Sequence, residues 1–120
     1  MTKRVAVLLS GRGSNFQSLL NASLKGSLGG EISLVISNRL GAGGLSIAQN
    51  AGIETALIDH QRYPTREAFD QDLAGAIDSA QPDLVVLAGF MRILTPEFVA
   101  RFSERLMNIH PSLLLSLIHI

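Results

Sequence analysis

The chain of 120 residues contains no cysteine. That absence excludes a disulfide-stapled scaffold, a thiolate nucleophile and a thiolate-ligated metal. There is no excess of either charge, because ten Lys and Arg balance ten Asp and Glu. A surface without a basic surplus collects phosphate backbones poorly, so no nucleic-acid partner is expected. Long hydrophobic runs are absent too. Lys3 and Arg4 precede Val5 to Leu9 in imitation of a secretory leader, but Gly11-Arg12-Gly13 soon follows. The apolar stretch is thus shorter than the roughly 7–15 residues of a leader core. Other apolar runs fall far below the ~20 residues of a membrane span. No membrane partner and a cytoplasmic location are therefore expected. The histidines at 60, 110 and 119 lack metal-ligand spacing, so no metal is expected either. Charge is sparse at 17%, and mean hydropathy is high at +0.30. Either one domain buries most of this surface, or something that should cover it lies elsewhere.

What is present alternates. Short β-branched apolar runs at Val5–Leu9, Ile32–Ile36, Thr55–Ile58 and Leu84–Ala88, with a weaker one at Leu106–Ile109, are separated by longer amphipathic stretches. Continuous apolar runs indicate strands buried on both faces, as parallel sheets require. The clearest helix runs from Pro64 to Ala80, where Phe69, Leu73, Ala76, Ile77 and Ala80 recur at helical spacing. Thr95-Pro96 opens another, with the threonine as N-cap and the proline at the first helical position. Gly26 and Gly52 stand where the first two helices should stop. This alternation predicts an α/β, Rossmann-like, doubly wound and mostly parallel sheet with right-handed crossovers. Ligands of such sheets bind beyond the carboxyl ends of the strands. That rule singles out Ser10–Asn15, Ser37–Gly44, Gly89–Leu94 and Asn108–His110.

Ser10-Gly11-Arg12-Gly13-Ser14-Asn15 leaves the first strand and opens a helix. Glycines allow the sharp turn, and free amides at the helix start can hold an anion. Ser14 and Asn15 also suit plain helix capping. A dinucleotide fingerprint does not fit, because its third glycine falls on Phe16 and the second strand ends in Ser37-Asn38 without an acidic residue. No Gly-Lys-Ser/Thr follows, so it is not a Walker loop. A single phosphate fits better. Asn108 and His110 are two apart on a strand and share a face. An amide donor beside an imidazole suits acyl transfer, the Asn steadying an oxyanion and the His moving a proton. A strand-end His bonded only to backbone is the plainer alternative. Phe90, Met91 and Ile93 read as core filler or as the lining of a slot for a flat ring, and Arg92 as a solvated charge. His60, after the third strand, reads as a surface residue.

Four blocks, in order from about Arg4 to Leu114, together resemble the phosphoribosylglycinamide formyltransferase family of folate-dependent formyltransferases. They are Ser10–Asn15 with Gln17, Arg66-Glu67-Ala68, Leu87–Leu94, and Asn108-Ile109-His110-Pro111-Ser112-Leu113-Leu114. The last block is shared with other folate formyl-transferring enzymes, among them methionyl-tRNA formyltransferase. The glycine loop and Gly-Phe-Met-Arg-Ile-Leu select the ribonucleotide family. The resemblance implies transfer of a formyl group from 10-formyltetrahydrofolate, as co-substrate, to glycinamide ribonucleotide in purine biosynthesis. It implies that Gly13, Ser14 and Asn15 hold the substrate phosphate. Arg66, Met91, Arg92, Ile93 and Leu94 would contact the folate, and Asn108 its formyl group. Asn108 and His110 would be catalytic, His110 as the general acid that releases the folate nitrogen.

After this block the family continues with further pocket residues and an aspartate that orients the histidine. Here Leu115-Ser116-Leu117-Ile118-His119-Ile120 follow, and they do not resemble it. The expectation is that residues 1–114 are the amino-terminal, nucleotide-binding part of the domain and 115–120 an unrelated tail, with most activity lost. Two alternatives stay open: a methionyl-tRNA formyltransferase-like chain and a non-catalytic nucleotide-binding Rossmann module. Oligomeric state leaves no mark on the sequence.

Overall fold

In the computed structural model the first apolar run becomes β1 (Lys3–Leu9), set inside the sheet with neighbours on both sides. Residues 3–10, 14–24, 30–39, 43–90, 94–109 and 117–119 are described, with side chains at all of these except 14, 15, 22–24, 108, 109 and 117–119. The chain continues through α1 (Ser14–Leu24), β2 (Gly30–Ser37), α2 (Gly43–Asn50) and β3 (Glu54–Leu57). A single 3-10 turn (His60–Arg62) leads into α3 (Arg66–Ala80), β4 (Leu84–Ala88), α4 (Pro96–Phe102), β5 (Leu106–Ile109) and β6 (Leu117–His119). The strand order is β3-β2-β1-β4-β5-β6. β1 to β5 are parallel, and β6 runs antiparallel along β5. The doubly wound, mostly parallel sheet expected from the sequence is the one observed.

The unbroken apolar runs follow from two cores. Val5, Val7 and Leu9 pack with Phe16, Leu19 and Leu20 of α1 and Ala48 of α2. Ala6 and Leu8 face the other way, onto Phe69, Leu73 and Ile77 of α3 and Phe98 and Phe102 of α4. Side chains of a strand alternate between faces, so a strand covered on both sides must be apolar throughout. Phe16, where a dinucleotide loop needs glycine, is fully buried.

Helix ends follow local chemistry. α3 begins at Arg66 because Thr65, in extended backbone, is the cap and its hydroxyl accepts from the Ala68 N–H at 3.1 Å. Thr95 caps α4 likewise, accepting from the Phe98 N–H at 3.2 Å, with Pro96 directly after it. α2 is followed by Gly52 at φ 77°, a left-handed conformation that glycine adopts without steric cost. Gly26 lies outside the described residues. Ile58 is not in β3; it leaves the strand and donates its N–H to Ser37 O at 2.9 Å. In the tail, 117–119 line the outer edge of β5, with Met107 opposite His119 and Ile109 opposite Leu117.

Strand order also locates the ligand crevice. From β1 the chain steps outward through β2 to β3, then crosses back to start β4 on the opposite side of β1. The reversal falls between β1 and β4, and beyond their carboxyl ends an open α/β sheet binds its ligand. No helix among the described residues is long and apolar enough to cross a membrane.

Candidate active site

At the exit of β1, Ser10 is buried and its hydroxyl donates to the Asn38 side-chain oxygen at 2.5 Å. Asn38 follows β2 and is itself buried; its amide nitrogen lies 3.2 Å from His60 Nδ1. The sequence reading of His60 as a surface residue is corrected here. Its ring is half-buried, and it also meets Phe69 edge-on with ring centroids 6.3 Å apart. Tyr63 packs on the same Phe69 ring and donates its phenol to Asp72 at 2.7 Å. That bond to the carboxylate, with some burial, holds the Tyr63 pKa above its ordinary value. Sequence reasoning missed the Ser10–Asn38–His60 connection because its members come from three separate loops.

At the exit of β4, Gly89 takes φ 75°, a turn that a side chain would strain. Leu94 and Thr95 lead into α4. The Thr95 N–H donates to Asp70 Oδ2 on α3 at 2.7 Å. Asp70 is 4% exposed, and its other oxygen is buried with no hydrogen-bond partner among the described residues. The amino ends of α3 and α4 flank a cleft of about 750 Å³ lined by Thr65, Arg66, Glu67, Leu94, Thr95 and Glu97. A neighbouring hollow of about 590 Å³ continues between the helices past Asp70 and Phe98 to Arg101. Both volumes fall in the range of about 300–1,000 Å³ typical of small-molecule sites. Arg66 is exposed at the cleft mouth and Leu94 half-buried. Two of the residues assigned to the folate thus meet on one cleft.

Asn108 lies on β5, in register with Leu87 of β4, which is in register with Leu8 of β1. The exits of β1, β4 and β5 therefore stand in one row at the carboxyl edge. Ser14 and Asn15 are the first residues of α1, the helix that follows β1 in the chain. Gly13, Met91, Arg92, Ile93 and His110 lie outside the described residues, as do the side chains of Ser14, Asn15 and Asn108. Among the described residues no group of three or more His, Asp or Glu is placed to hold a metal ion.

A doubly wound sheet with its crevice at the β1/β4 switch point defines the class: a ligand-binding α/β protein of the Rossmann-like kind. Within that class, the family described as formyl transferase matches residues 3–116, and the chain belongs to that family. It is 47% identical over 110 residues to the phosphoribosylglycinamide formyltransferase of Escherichia coli K12, covering 92% of this chain and 52% of that protein. It is 44% identical over 111 residues to the human trifunctional purine biosynthetic protein adenosine-3, covering 92% of this chain and 11% of that one. Among solved structures, the phosphoribosylglycinamide formyltransferase of Coxiella burnetii superposes with a TM-score of 0.88 at 47% identity, over 92% of this chain and 52% of that one. The chain thus spans about half the length of its single-function bacterial relatives and a smaller share of the trifunctional one.

Proposed function

We propose that the protein transfers a formyl group from 10-formyltetrahydrofolate to the amine of glycinamide ribonucleotide, a step of purine biosynthesis. The observation that carries this reading is the row of strand exits. β5 stands two strands from β1, roughly 10 Å at the usual interstrand spacing. A phosphorylated pentose with a short amine-bearing arm spans that interval. Its phosphate would rest on Gly13, Ser14 and Asn15, and its amine would reach Asn108. The folate would lie along Arg66 and Met91 to Leu94, the arginine meeting its carboxylates and the apolar side chains its ring.

The chemistry is direct. The substrate amine attacks the formyl carbon, a new C–N bond forms, and the bond to the folate nitrogen breaks. Asn108 donates to the oxygen that carries the transient negative charge. His110 protonates the departing folate nitrogen, and the amine's surplus proton passes to solvent water, so one proton is gained and one lost. No covalent enzyme intermediate is needed. The names of the relatives support glycinamide ribonucleotide over a formylated tRNA and over a non-catalytic nucleotide module. The partners are accordingly small molecules and the setting cytoplasmic.

Calorimetric titration of the chain with glycinamide ribonucleotide, formyl folate and nicotinamide dinucleotide tests this reading. Binding of the first two is expected; binding of the dinucleotide alone would overturn it.

A further inference from the structure

His60 Nδ1 meets two groups of one residue that make opposite demands. It lies 3.2 Å from the Asn38 side-chain nitrogen, a donor, and 3.2 Å from the Asn38 backbone oxygen, an acceptor. A bare Nδ1 accepts from the amide, whereas an Nδ1 that carries a proton can only donate. The neutral ring can take either form, but the imidazolium carries a proton on both nitrogens. Charging the ring therefore sets donor against donor at the side-chain amide. Asn38 is 1% exposed, and its backbone N–H is held by Leu9 O at 3.4 Å. Phe69, also 1% exposed, holds the ring edge-on at 87°. The group free to respond is the end of the Asn38 side chain, because half a turn exchanges its oxygen and nitrogen at almost unchanged shape.

We propose that His60 and Asn38 form a proton-sensitive switch that acts on Ser10. With Nδ1 bare, Ser10 donates to Asn38 Oδ1 at 2.5 Å and the amide nitrogen donates to the ring. With the ring charged, the amide inverts. Its oxygen accepts from the Nδ1 proton, its nitrogen donates to Ser10 Oγ, and Ser10 becomes the acceptor. Each arrangement keeps both side-chain bonds, so the half turn loses none and the proton on His60 selects between them. One proton is taken up from solvent and none travels along the series; only the direction of the bonds reverses. The charged groups around the ring are engaged elsewhere or exposed. Asp59 of its own turn accepts from the Gln61 N–H at 3.0 Å, and Arg62 of that turn and Arg39 beside Asn38 are exposed. On α3, the Asp72 carboxylate takes the Tyr63 phenol at 2.7 Å. Among the described residues no Asp or Glu forms an ion pair with the ring. Ser10 stands at the exit of β1, where the crevice opens, so a change of charge at a half-buried ring reaches the crevice as the reversal of one hydroxyl. This holds whatever ligand the crevice takes.

Nuclear magnetic resonance of the isotope-labelled chain tests this, titrated from about pH 8 to about pH 5, the range in which an imidazole ordinarily changes charge. The Asn38 side-chain amide protons are expected to lose their proximity signals to the His60 ring and gain signals to the Ser10 side chain. The exchange should be half complete at the pH where the ring is half protonated. A merely structural bond would leave the amide in one orientation throughout. His60→Phe keeps a ring against Phe69, and His60→Gln keeps a polar side chain; neither takes up a proton in this range. In whichever of the two folds by circular dichroism, the Asn38 amide signals should not move with pH, although His110 and His119 still titrate. The switch is overturned if the amide of the unsubstituted chain keeps its orientation while His60 charges, or if it inverts at a pH that is not that of His60. It is overturned equally if the signals move as much in a variant without the imidazole, or if the ring stays neutral down to about pH 5.

Discussion

The exits of β1 and β4 stand side by side at the carboxyl edge, yet they are tied down by different chemistry. At β1 the tie contains no carboxylate: Ser10, Asn38 and His60 are linked in series. Past β4, where α4 begins, it is a buried carboxylate, Asp70, with one oxygen on the Thr95 N–H and the other unbonded among the described residues. A bond to a carboxylate is worth roughly twice a neutral one, but burying the charge costs more. The carboxylate-free tie precedes the glycine block read as an anion site, where a carboxylate would repel the ligand. The charged tie sits one strand away, at the cleft whose mouth carries Arg66.

Urea unfolding can break this contrast. The largest effect is expected at Asp70. Asp70→Ala leaves the buried Thr95 N–H without its acceptor and should cost about 2–3 kcal/mol. Asp70→Asn keeps an oxygen for that N–H and removes the buried charge, so it should remain within about 1 kcal/mol of the parent. An asparagine variant as damaged as the alanine one would show that the charge itself, and not the acceptor, holds the exit of β4.

A glycine pair sharpens the comparison between the packed and open sides. A methyl group at Gly44 of α2 would come within 2.5 Å of the Leu9 side chain, which is fully buried at the exit of β1. Gly44→Ala should therefore destabilise by about 1–2 kcal/mol through overpacking. Gly75, on the exposed face of α3, has nothing within 4 Å of the same added atom. Gly75→Ala should stabilise by up to about 1 kcal/mol, because alanine is the better helix former. Opposite signs are the expected result, and equal signs would contradict the packing described at β1.

The smallest effect is expected between α3 and α4, where Arg101 and Asp78 pair at the surface with side chains 56% and 36% exposed. Arg101→Ala should shift stability by about 0.5 kcal/mol or less, and added salt should erase the difference. A large, salt-insensitive loss would make this pair a third tether.

Much of the fold was open to sequence reading because its signals are local. Val5 to Leu9 is apolar at every position, and only a strand with helices on both faces requires that. Thr95-Pro96 marked the start of α4 to the residue, and Gly52 the end of α2. The start of α3 was misplaced toward Pro64, because a proline near a helix start and a threonine next to it are both plausible openers; the bond from the Ala68 N–H to Thr65 decides between them.

The tethers could not be read this way. Asp70 follows Phe69 in an amphipathic helix and looks like a solvated position until α4 packs over it. Asn38 and His60 stand 22 positions apart, with a whole helix and strand between them. Gly13, Ser14 and Asn15 as a phosphate loop and Asn108 with His110 as an acyl-transfer pair were legible in local spacing, whereas the assignment of Arg66, Met91, Arg92, Ile93 and Leu94 to the folate came through family resemblance. The described structure brings Arg66 and Leu94 onto one cleft and sets Asn108 on the strand two away from β1.

By itself, the sequence determined the alternation of strands and helices, the burial of the sheet on both faces and the blocks that mark the family. Those features depend on side-chain period and on neighbours a few positions apart. Only the tertiary structure decided the order of the strands, and hence that the exits of β1, β4 and β5 lie in one row. Strand pairing joins residues far apart in the chain, such as Leu8 with Leu87 and Leu87 with Asn108, and no local period encodes that choice. The burial of Asn38, His60 and Asp70 follows from the same order, which is why the groups holding the strand exits emerge only once the sheet is assembled.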